Sequence, residues 1–454
     1  MEYLNDKDQH LIDKLSKKIN DNNQYLGFLN TNTKELTHRY HIYPAMMIPQ
    51  LAKEFIELTQ QVKPEIKKLY DPFMGSGTSL VEGLAHGLEV YGTDINPLSQ
   101  MMSKAKTTPI EPSKLSRAIS DLEYSIREMT ILYHEGNYKI SNLPDFDRID
   151  FWFKEEVIIS LQLIKNCINE FIEDDLKTFF MAAFSETVRH VSNTRNNEFK
   201  LYRMAPEKLE IWNPNVTEEF LKRVYRNELG NMDFYRQLEN VGNYSPKTII
   251  NKQSNIKLPE EFKDEMFDIV VTSPPYGDSK TTVAYGQFSR LSAQWLDLKI
   301  DDETKINQLD NVMLGGKTDK NIIVNDVLEY LNSPTSKSVF NLISHKDEKR
   351  ALEVLQFYVD LDKSIKETTR VMKPESYQFW VVANRTVKMI SIPTDIIISE
   401  LFKKYNVHHL YSFYRKIPNK RMPSKNSPTN KIGNHSVTMT SEIILMLKNY
   451  INKS

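Results

Sequence analysis

The sequence is short of several features that would direct it to other classes of protein. Its single cysteine, Cys167, leaves no disulfide framework and no zinc site built from four cysteines. The first residues are polar, and no apolar run reaches the ~18 residues that a membrane-spanning helix needs. We therefore expect neither a signal peptide nor a membrane span, and we expect a cytoplasmic protein.

Net charge and glycine are scarce as well. The formal net charge is −1, so the protein as a whole does not attract nucleic acid, and any nucleic-acid surface must come from local clusters of basic residues. Only 14 of the 454 residues are glycine, so two glycines at close spacing are more informative than usual. The length is sufficient for one large α/β domain with a second domain or an insertion.

One glycine pair lies between a predicted strand and a predicted helix. Residues 68–71 read as a strand, Gly75 and Gly77 follow in a short loop, and an apolar helix begins near residue 78. This arrangement lets the backbone approach a ligand closely. Asp71 ends the first strand, where a carboxylate can meet a cationic amino acid. Asp94 closes the next strand, where an acid typically accepts ribose hydroxyls. No Gly-Lys-Ser/Thr follows, so the loop is not a phosphate-binding loop of the ATPase type.

A second informative stretch is Val270-Val271-Thr272-Ser273-Pro274-Pro275-Tyr276. Residues 267–271 predict a buried parallel strand, and the two prolines must end it because neither can donate a backbone N–H. The result is a stiff corner at the carboxyl end of a strand, where open α/β sheets bind ligands. The corner carries a hydroxyl and an aromatic ring. Acceptors such as Ser273 Oγ and the Pro274 carbonyl could hold the hydrogens of an exocyclic amine, and Tyr276 could stack on a base.

The strings Asp71-Pro72-Phe73-Met74-Gly75-Ser76-Gly77-Thr78 and Ser273-Pro274-Pro275-Tyr276 resemble the cofactor and catalytic motifs of amino-DNA methyltransferases. These enzymes transfer a methyl group from S-adenosylmethionine to the exocyclic amine of a base. The resemblance covers about residues 38–106 and 247–449. The serine of the second motif is similar to the N4-cytosine group, whereas the N6-adenine group more often has Asp or Asn there.

The resemblance implies a fold, a cofactor and a site. The fold is α/β, a Rossmann-like methyltransferase sheet that is mostly parallel, with a final antiparallel hairpin and a mostly helical insertion. The cofactor is S-adenosylmethionine, and the chemistry needs no metal. The catalytic residues would be Ser273, Pro274, Pro275 and Tyr276. The cofactor-binding residues would be Tyr43, Pro44, Asp71, Phe73, Gly75, Gly77, Thr78, Asp94 and Ile95.

We expect three regions in the chain. Residues 1–110 would form the N-terminal lead and the cofactor-binding half of the methyltransferase domain. Residues 111–245 would be the helical insertion and a candidate DNA-recognition region, because three apolar-striped helices can be read in it. Residues 246–454 would form the catalytic half, with loops that contact DNA.

Three segments are candidates for contacts with double-stranded DNA. Two are basic, 189–203 and 415–431, and the third is the hydroxyl-rich and aromatic stretch after the corner. A solvated surface is the alternative for each basic segment. The candidate DNA-binding residues are Arg189, Arg195, Lys200, Arg203, Tyr285, Arg290, Lys420, Arg421 and Lys425.

The sequence thus favours a site-specific N4-cytosine DNA methyltransferase, the modification enzyme of a restriction-modification system, with a cognate restriction endonuclease as a candidate partner. The alternative is N6-adenine methylation by the same site. Methylation of RNA or of a protein glutamine, and a DNA-binding subunit without catalysis, are more distant readings. No Pro-Cys pair occurs, which argues against covalent C5-cytosine chemistry. The pair Asp145 and Asp175 superficially matches a metal nuclease, but Asp175 reads as a helix-start residue.

Overall fold

We describe a computed structural model of the chain, covering residues 4–29, 31–195, 198–278, 283–319, 322–417, 425–426, 436–437 and 441–450. Eleven strands lie within these residues: β1 Lys68–Asp71, β2 Glu89–Thr93, β3 Thr248–Asn251, β4 Phe267–Thr272, β5 Met372–Val382, β6 Arg385–Val387, β7 Ile390–Ile392, β8 Val407–Lys416, β9 Lys425–Asn426, β10 Ser436–Val437 and β11 Ser441–Asn449. Within the same residues, no helix is both long enough and apolar enough to cross a membrane.

Seven of these strands form one sheet in the order β3-β2-β1-β4-β5-β11-β8. The first five are mutually parallel, and β11 runs antiparallel to both β5 and β8. The strand order reverses between β1 and β4, so the carboxyl ends of these two strands flank a crevice. This topology is the Rossmann-like methyltransferase sheet with a final antiparallel hairpin, which confirms the predicted fold class.

The sheet is covered on both faces, as a parallel sheet requires. Side chains alternate along β4, so Ile269 and Val271 join one apolar cluster while Val270 joins another. Phe55 of helix α2 stacks on Phe379 of β5 within the first cluster, with ring centroids 4.6 Å apart. This double burial explains why the sequence of β4 is a nearly continuous β-branched run.

Sixteen α-helices lie in the described residues: α1 Asp6–Asp21, α2 Pro49–Val62, α3 Thr78–Ala85, α4 Pro97–Thr107, α5 Pro112–His134, α6 Ile149–Trp152, α7 Glu155–Asn169, α8 Asp174–Val191, α9 Pro206–Ile211, α10 Val216–Asn240, α11 Tyr285–Trp295, α12 Leu309–Val312, α13 Val324–Leu331, α14 Pro334–Ser344, α15 Glu348–Val371 and α16 Thr394–Lys403. Short 3-10 helices cover Tyr25–Gly27, Leu36–Tyr40 and Ile306–Gln308.

The region between β2 and β3 is helical, as its apolar stripes predict. The three helices read from the sequence are α5, α7 and α8, and the structure adds the 25-residue helix α10, whose sequence is strongly polar. These helices share a third apolar cluster, which also takes in Leu291 and Trp295 of α11. The helix α11, which follows the corner Ser273–Tyr276, therefore packs on the helical region. The boundaries 1–110, 111–245 and 246–454 remain predictions.

Candidate active site

The glycine loop has the backbone geometry that its sequence predicts. Gly75 and Gly77 both have positive φ, +48° and +78°, which side chains with a Cβ rarely adopt. Gly77 caps α3, and a Cβ there would lie 2.8 Å from Ser103 Oγ. A Cβ on Gly75 would make only ordinary contacts, the nearest with the Tyr43 ring at 3.5 Å. The loop thus needs glycine at position 77 for packing, while position 75 presents backbone toward Tyr43.

Two carboxylates border the loop. Asp71, at the end of β1, accepts hydrogen bonds on Oδ1 from the Thr272 hydroxyl at 2.6 Å and from the Phe73 N–H at 3.0 Å. Asp94, just after β2, accepts from the Gly75 N–H at 3.1 Å and from the Ser99 hydroxyl at 2.9 Å. Burial raises the pKa of each carboxyl from 3.8 to about 6, against the effect of these hydrogen bonds. Each carboxylate would be stabilised by a cationic ligand.

Tyr285, a candidate DNA contact, lies instead beside the predicted cofactor residues. Its ring stacks on Tyr43, with centroids 5.6 Å apart. The Tyr43 hydroxyl accepts a hydrogen bond from Asn96 Nδ2 at 3.0 Å. Burial is the main cause that raises the pKa of Tyr285 above its usual range, and Asp94 adds to it. Tyr285 therefore forms part of the wall of the same cleft as Asp94.

The corner follows directly from β4. The Ser273 hydroxyl donates to the carbonyl of Val381 at 3.0 Å, and Ser273 Oγ lies 3.3 Å from the hydroxyl of Tyr276. The Tyr276 hydroxyl donates to Glu442 Oε1 at 2.9 Å. Glu442, on β11, is paired through its other oxygen with Arg415 Nη1 at 3.0 Å. The corner is thus held by the parallel neighbour β5 and by the antiparallel hairpin β8–β11.

The two motifs, far apart in sequence, line one cleft at the carboxyl edge of the sheet. Every predicted cofactor residue except Gly77 lines it, together with Ser273 and Pro275 of the corner. Pro274 and Tyr276 do not line it. The predicted cofactor residues in its wall are Tyr43, Pro44, Asp71, Phe73, Gly75, Thr78, Asp94 and Ile95.

Sequence analysis missed several parts of the cleft. Residues 312–314 form one wall. Asn255 forms another and donates to the Pro72 carbonyl at 2.7 Å. Ser254 also lines the cleft. Arg415 begins the basic segment 415–431, but it is buried and paired with Glu442. No pattern in the sequence indicated this pair, because only the pairing of β11 with β5 and β8 brings it to the corner.

The candidate DNA residues differ in their exposure. Arg189, which we expected to contact DNA, is buried, with 8% of its surface exposed. Its guanidinium lies over the Phe288 ring at 4.5 Å and donates to the Phe199 carbonyl at 3.1 Å. It ties a loop to helix α11 and is not presented to solvent. Lys200 and Arg203 are exposed, and Arg203 lies over the Phe151 ring at 4.3 Å.

The remaining basic candidates have less access or fall elsewhere. Arg195 is exposed and pairs with Glu198 at 3.2 Å, and Arg290 is partly buried with Asp147 4.0 Å away. Lys420, Arg421 and the side chain of Lys425 lie outside the described residues. Asp175, the acid of the rival nuclease motif, is in the first turn of α8 and pairs with Lys114 at 3.1 Å. The described part of the chain holds no group of three or more His, Cys, Asp or Glu that could bind a metal.

Parts of the chain are similar to known proteins. Residues 49–229 match the family MethyltransfD12, the D12 class N6 adenine-specific DNA methyltransferases. The Type II methyltransferase M.MjaII of Methanocaldococcus jannaschii is 32% identical over 108 residues, which is 23% of this chain and 20% of the relative. The chain therefore matches only about a fifth of the length of this curated relative.

Two solved structures are similar in part. The rRNA methyltransferase aviRa from Streptomyces viridochromogenes is 10% identical with a TM-score of 0.32, over 90% of this chain and 88% of that one. A protein described as a DNA modification methylase from Thermus thermophilus is 15% identical with a TM-score of 0.16, over 27% of this chain and 53% of that one. The matching family is described as DNA methyltransferases and the curated relative as a methyltransferase, and enzymes of this kind take their methyl group from S-adenosylmethionine.

Proposed function

We propose that the protein transfers a methyl group from S-adenosylmethionine to the exocyclic amine of a base in duplex DNA. The observation that carries this proposal is the single cleft that Asp71, Gly75 and Asp94 share with Ser273 and Pro275. A cofactor loop and an amine-orienting corner on one cleft would hold donor and acceptor together, and such positioning supplies a large part of the catalysis of group transfer.

The donor set of the cleft fits this cofactor. Asp71 and Asp94 are buried carboxylates with raised pKa, so a ligand carrying positive charge would relieve the cost of their ionisation. Phe73 and Tyr285 add aromatic surface to the same wall. Backbone at Gly75 allows close approach. When bound, S-adenosylmethionine supplies an electrophilic methyl carbon on a sulfonium sulfur.

The corner would prepare the acceptor. The base is flipped out of the duplex, because its amine is otherwise paired. Ser273 Oγ gives its own hydrogen to Val381, so its lone pairs are left to accept an amine hydrogen. With the amine held there, S-adenosylmethionine in the cleft would supply the methyl group to the amine nitrogen and would leave as the neutral thioether. One amine hydrogen leaves as a proton to water.

For the acceptor we propose adenine N6, because the matching family is described as N6 adenine-specific. Cytosine N4, which the sequence favoured, is the second candidate and rests on Ser273 at the first position of the catalytic motif. The matched residues 49–229 end before Ser273, so the two observations come from different parts of the chain. By the name of the curated relative, a Type II methyltransferase, we also propose a modification role beside a restriction endonuclease.

The test is to express the protein in a host that lacks DNA methylation and to digest its DNA to nucleosides for mass spectrometry. We expect N6-methyladenine, and N4-methylcytosine instead would select the second candidate. Ser273→Ala is the matched control, since losing one preorganised group typically costs about 10²–10³ in rate. DNA without either modified base, from cells that contain folded protein able to bind S-adenosylmethionine, would overturn the proposed function.

A further inference from the structure

Two hydrogen bonds at the corner determine where its hydroxyl hydrogens point. A hydroxyl has one hydrogen, while a carbonyl and an ion-paired carboxylate can only accept. Ser273 therefore gives its hydrogen to the Val381 carbonyl at 3.0 Å, and Tyr276 gives its hydrogen to Glu442 at 2.9 Å. The 3.3 Å contact between Ser273 Oγ and the Tyr276 hydroxyl oxygen is left with lone pairs on both sides.

An ion pair with Arg415 keeps Glu442 charged, so that it can only accept hydrogen bonds. Its second oxygen is 3.0 Å from Arg415 Nη1, and the side chains are only 17% and 5% exposed. Glu442 and Arg415 are directly opposite each other in the antiparallel ladder of β8 and β11. Burial, with a contribution from Glu442, raises the pKa of Tyr276 well above its usual range, so the tyrosine keeps its proton as a donor.

Tyr276 does not itself line the cleft, but its hydroxyl oxygen lies 3.3 Å from Oγ of Ser273, which does. We propose that the Tyr276 hydroxyl oxygen is a second amine acceptor beside Ser273 Oγ, and that Glu442 and Arg415 are the positioning residues that keep its hydrogen turned away. An exocyclic amine supplies the hydrogens that this pair of oxygens lacks. Gripping those hydrogens localises the nitrogen lone pair, which is otherwise delocalised into the base. This assignment rests on the proposed methylation of a base amine, and it gives Tyr276 a role that ring stacking alone would not.

The experiment measures single-turnover transfer from labelled S-adenosylmethionine to unmethylated genomic DNA, with cofactor affinity and thermal unfolding measured alongside. We expect Tyr276→Phe, which retains the ring, to slow transfer about tenfold or more, with cofactor affinity within about twofold of wild type. Glu442→Gln should also slow transfer, because its amide can donate to the tyrosine oxygen and turn the tyrosine hydrogen toward Ser273.

The chain provides a matched control. Tyr25 donates to Glu54 at 2.6 Å, and Glu54 pairs with Lys18 at 2.6 Å, so this trio repeats the chemistry away from the residues that line the cleft. Tyr25→Phe and Glu54→Gln should leave transfer at the wild-type rate.

A double-mutant cycle separates positioning from general support of the fold. If Glu442 acts through the Tyr276 hydroxyl, Glu442→Gln should cause no further loss in the Tyr276→Phe background. The inference would be overturned if Glu442→Gln slowed transfer equally in the wild-type and Tyr276→Phe backgrounds, or if Tyr276→Phe transferred at the wild-type rate. In either case, methylation by the wild-type protein would still support the proposed function. Absence of methylation by the wild-type protein would instead refute the proposed function itself.

Discussion

The hydroxyl of Thr272 donates to Oδ1 of Asp71 across 2.6 Å, joining the last residue of β4 to the last residue of β1. Thr272 directly precedes the corner Ser273–Tyr276, and Asp71 directly precedes the glycine loop. Both side chains are buried. The bond therefore fixes the register of the two motifs at the point where the strand order reverses, and it couples the cofactor side of the cleft to the corner.

Replacing Thr272 by valine tests this coupling, because valine preserves the β-branched shape and removes the donor. A hydrogen bond to a charged group contributes about 1.5–3 kcal/mol, so we expect the free energy of unfolding to fall by about that amount. We also expect weaker cofactor binding by calorimetry, since Asp71 loses a hydrogen bond that favours its charged form. Thr187→Val, a buried helical threonine that donates to the Ala183 carbonyl at 2.9 Å, is the control and should leave cofactor affinity unchanged.

The pH dependence of cofactor binding should follow the two carboxylates. With pKa values of about 6, Asp71 and Asp94 take up protons as the pH falls through that value, so affinity for a cationic cofactor should decrease below about pH 6. Without ligand the sign is opposite for stability. The folded protein holds these protons more tightly than the unfolded chain, so the free energy of unfolding falls as the pH rises from about 4 to about 6.

Asp71→Asn separates the charge from the hydrogen bonds, because both of its bonds are accepted by Oδ1, which asparagine retains. We expect the variant to fold, to bind the cofactor at least about tenfold more weakly, and to lose part of the pH dependence of binding. A pKa shift of one unit corresponds to about 1.4 kcal/mol of interaction with the charged form, which is a factor of about ten in affinity. Calorimetry at pH 5.5, 6.5 and 7.5 measures this, the three values being chosen to bracket a pKa of about 6. An unchanged affinity would remove Asp71 from the cofactor site.

The two loop glycines should respond differently to alanine. In Gly77→Ala, alanine would have to adopt a positive φ, and its Cβ would lie 2.8 Å from the Ser103 hydroxyl oxygen. The variant should therefore destabilise the fold by more than the roughly 1–2 kcal/mol that left-handed backbone alone costs. In Gly75→Ala only the positive φ is costly, since the added Cβ would contact the Tyr43 ring at an ordinary 3.5 Å. We expect Gly75→Ala to fold and to lose cofactor affinity, as measured by thermal unfolding and calorimetry.

Local patterns predicted the elements that carry short-range information. Backbone geometry can be predicted locally from the glycine loop, from the Pro-Pro corner and from the β-branched run of β4. The sheet, the glycine loop and the corner could therefore be anticipated from the sequence. What could not be read depends on contacts between distant segments. Glu442 reaches Tyr276 only through strand pairing, and residues 312–314 reach the cleft only through packing.

The basic segment at 189–203 shows the same limit in one stretch. Arg189 and Arg203 are equivalent as letters in a basic segment, yet one is buried on Phe288 and the other is exposed. Helix α8 continues through Val191, so its inward face buries Arg189, and the chain turns outward only after the helix ends. Composition reports charge, whereas the face of a helix determines exposure.

This difference leads to a final prediction for DNA binding. Lys200 and Arg203 are exposed, so replacing both by alanine should weaken DNA binding and flatten its dependence on the logarithm of salt concentration by about 2, with each lost phosphate contact removing about 0.9. Arg189→Met should leave that slope unchanged and destabilise the fold, because the loop carbonyls and the Phe288 ring lose their guanidinium partner. Fluorescence anisotropy on duplex DNA across a salt series measures both variants. If the double variant keeps the wild-type slope, the exposed residues form a solvated surface and DNA contacts must be sought elsewhere in the chain.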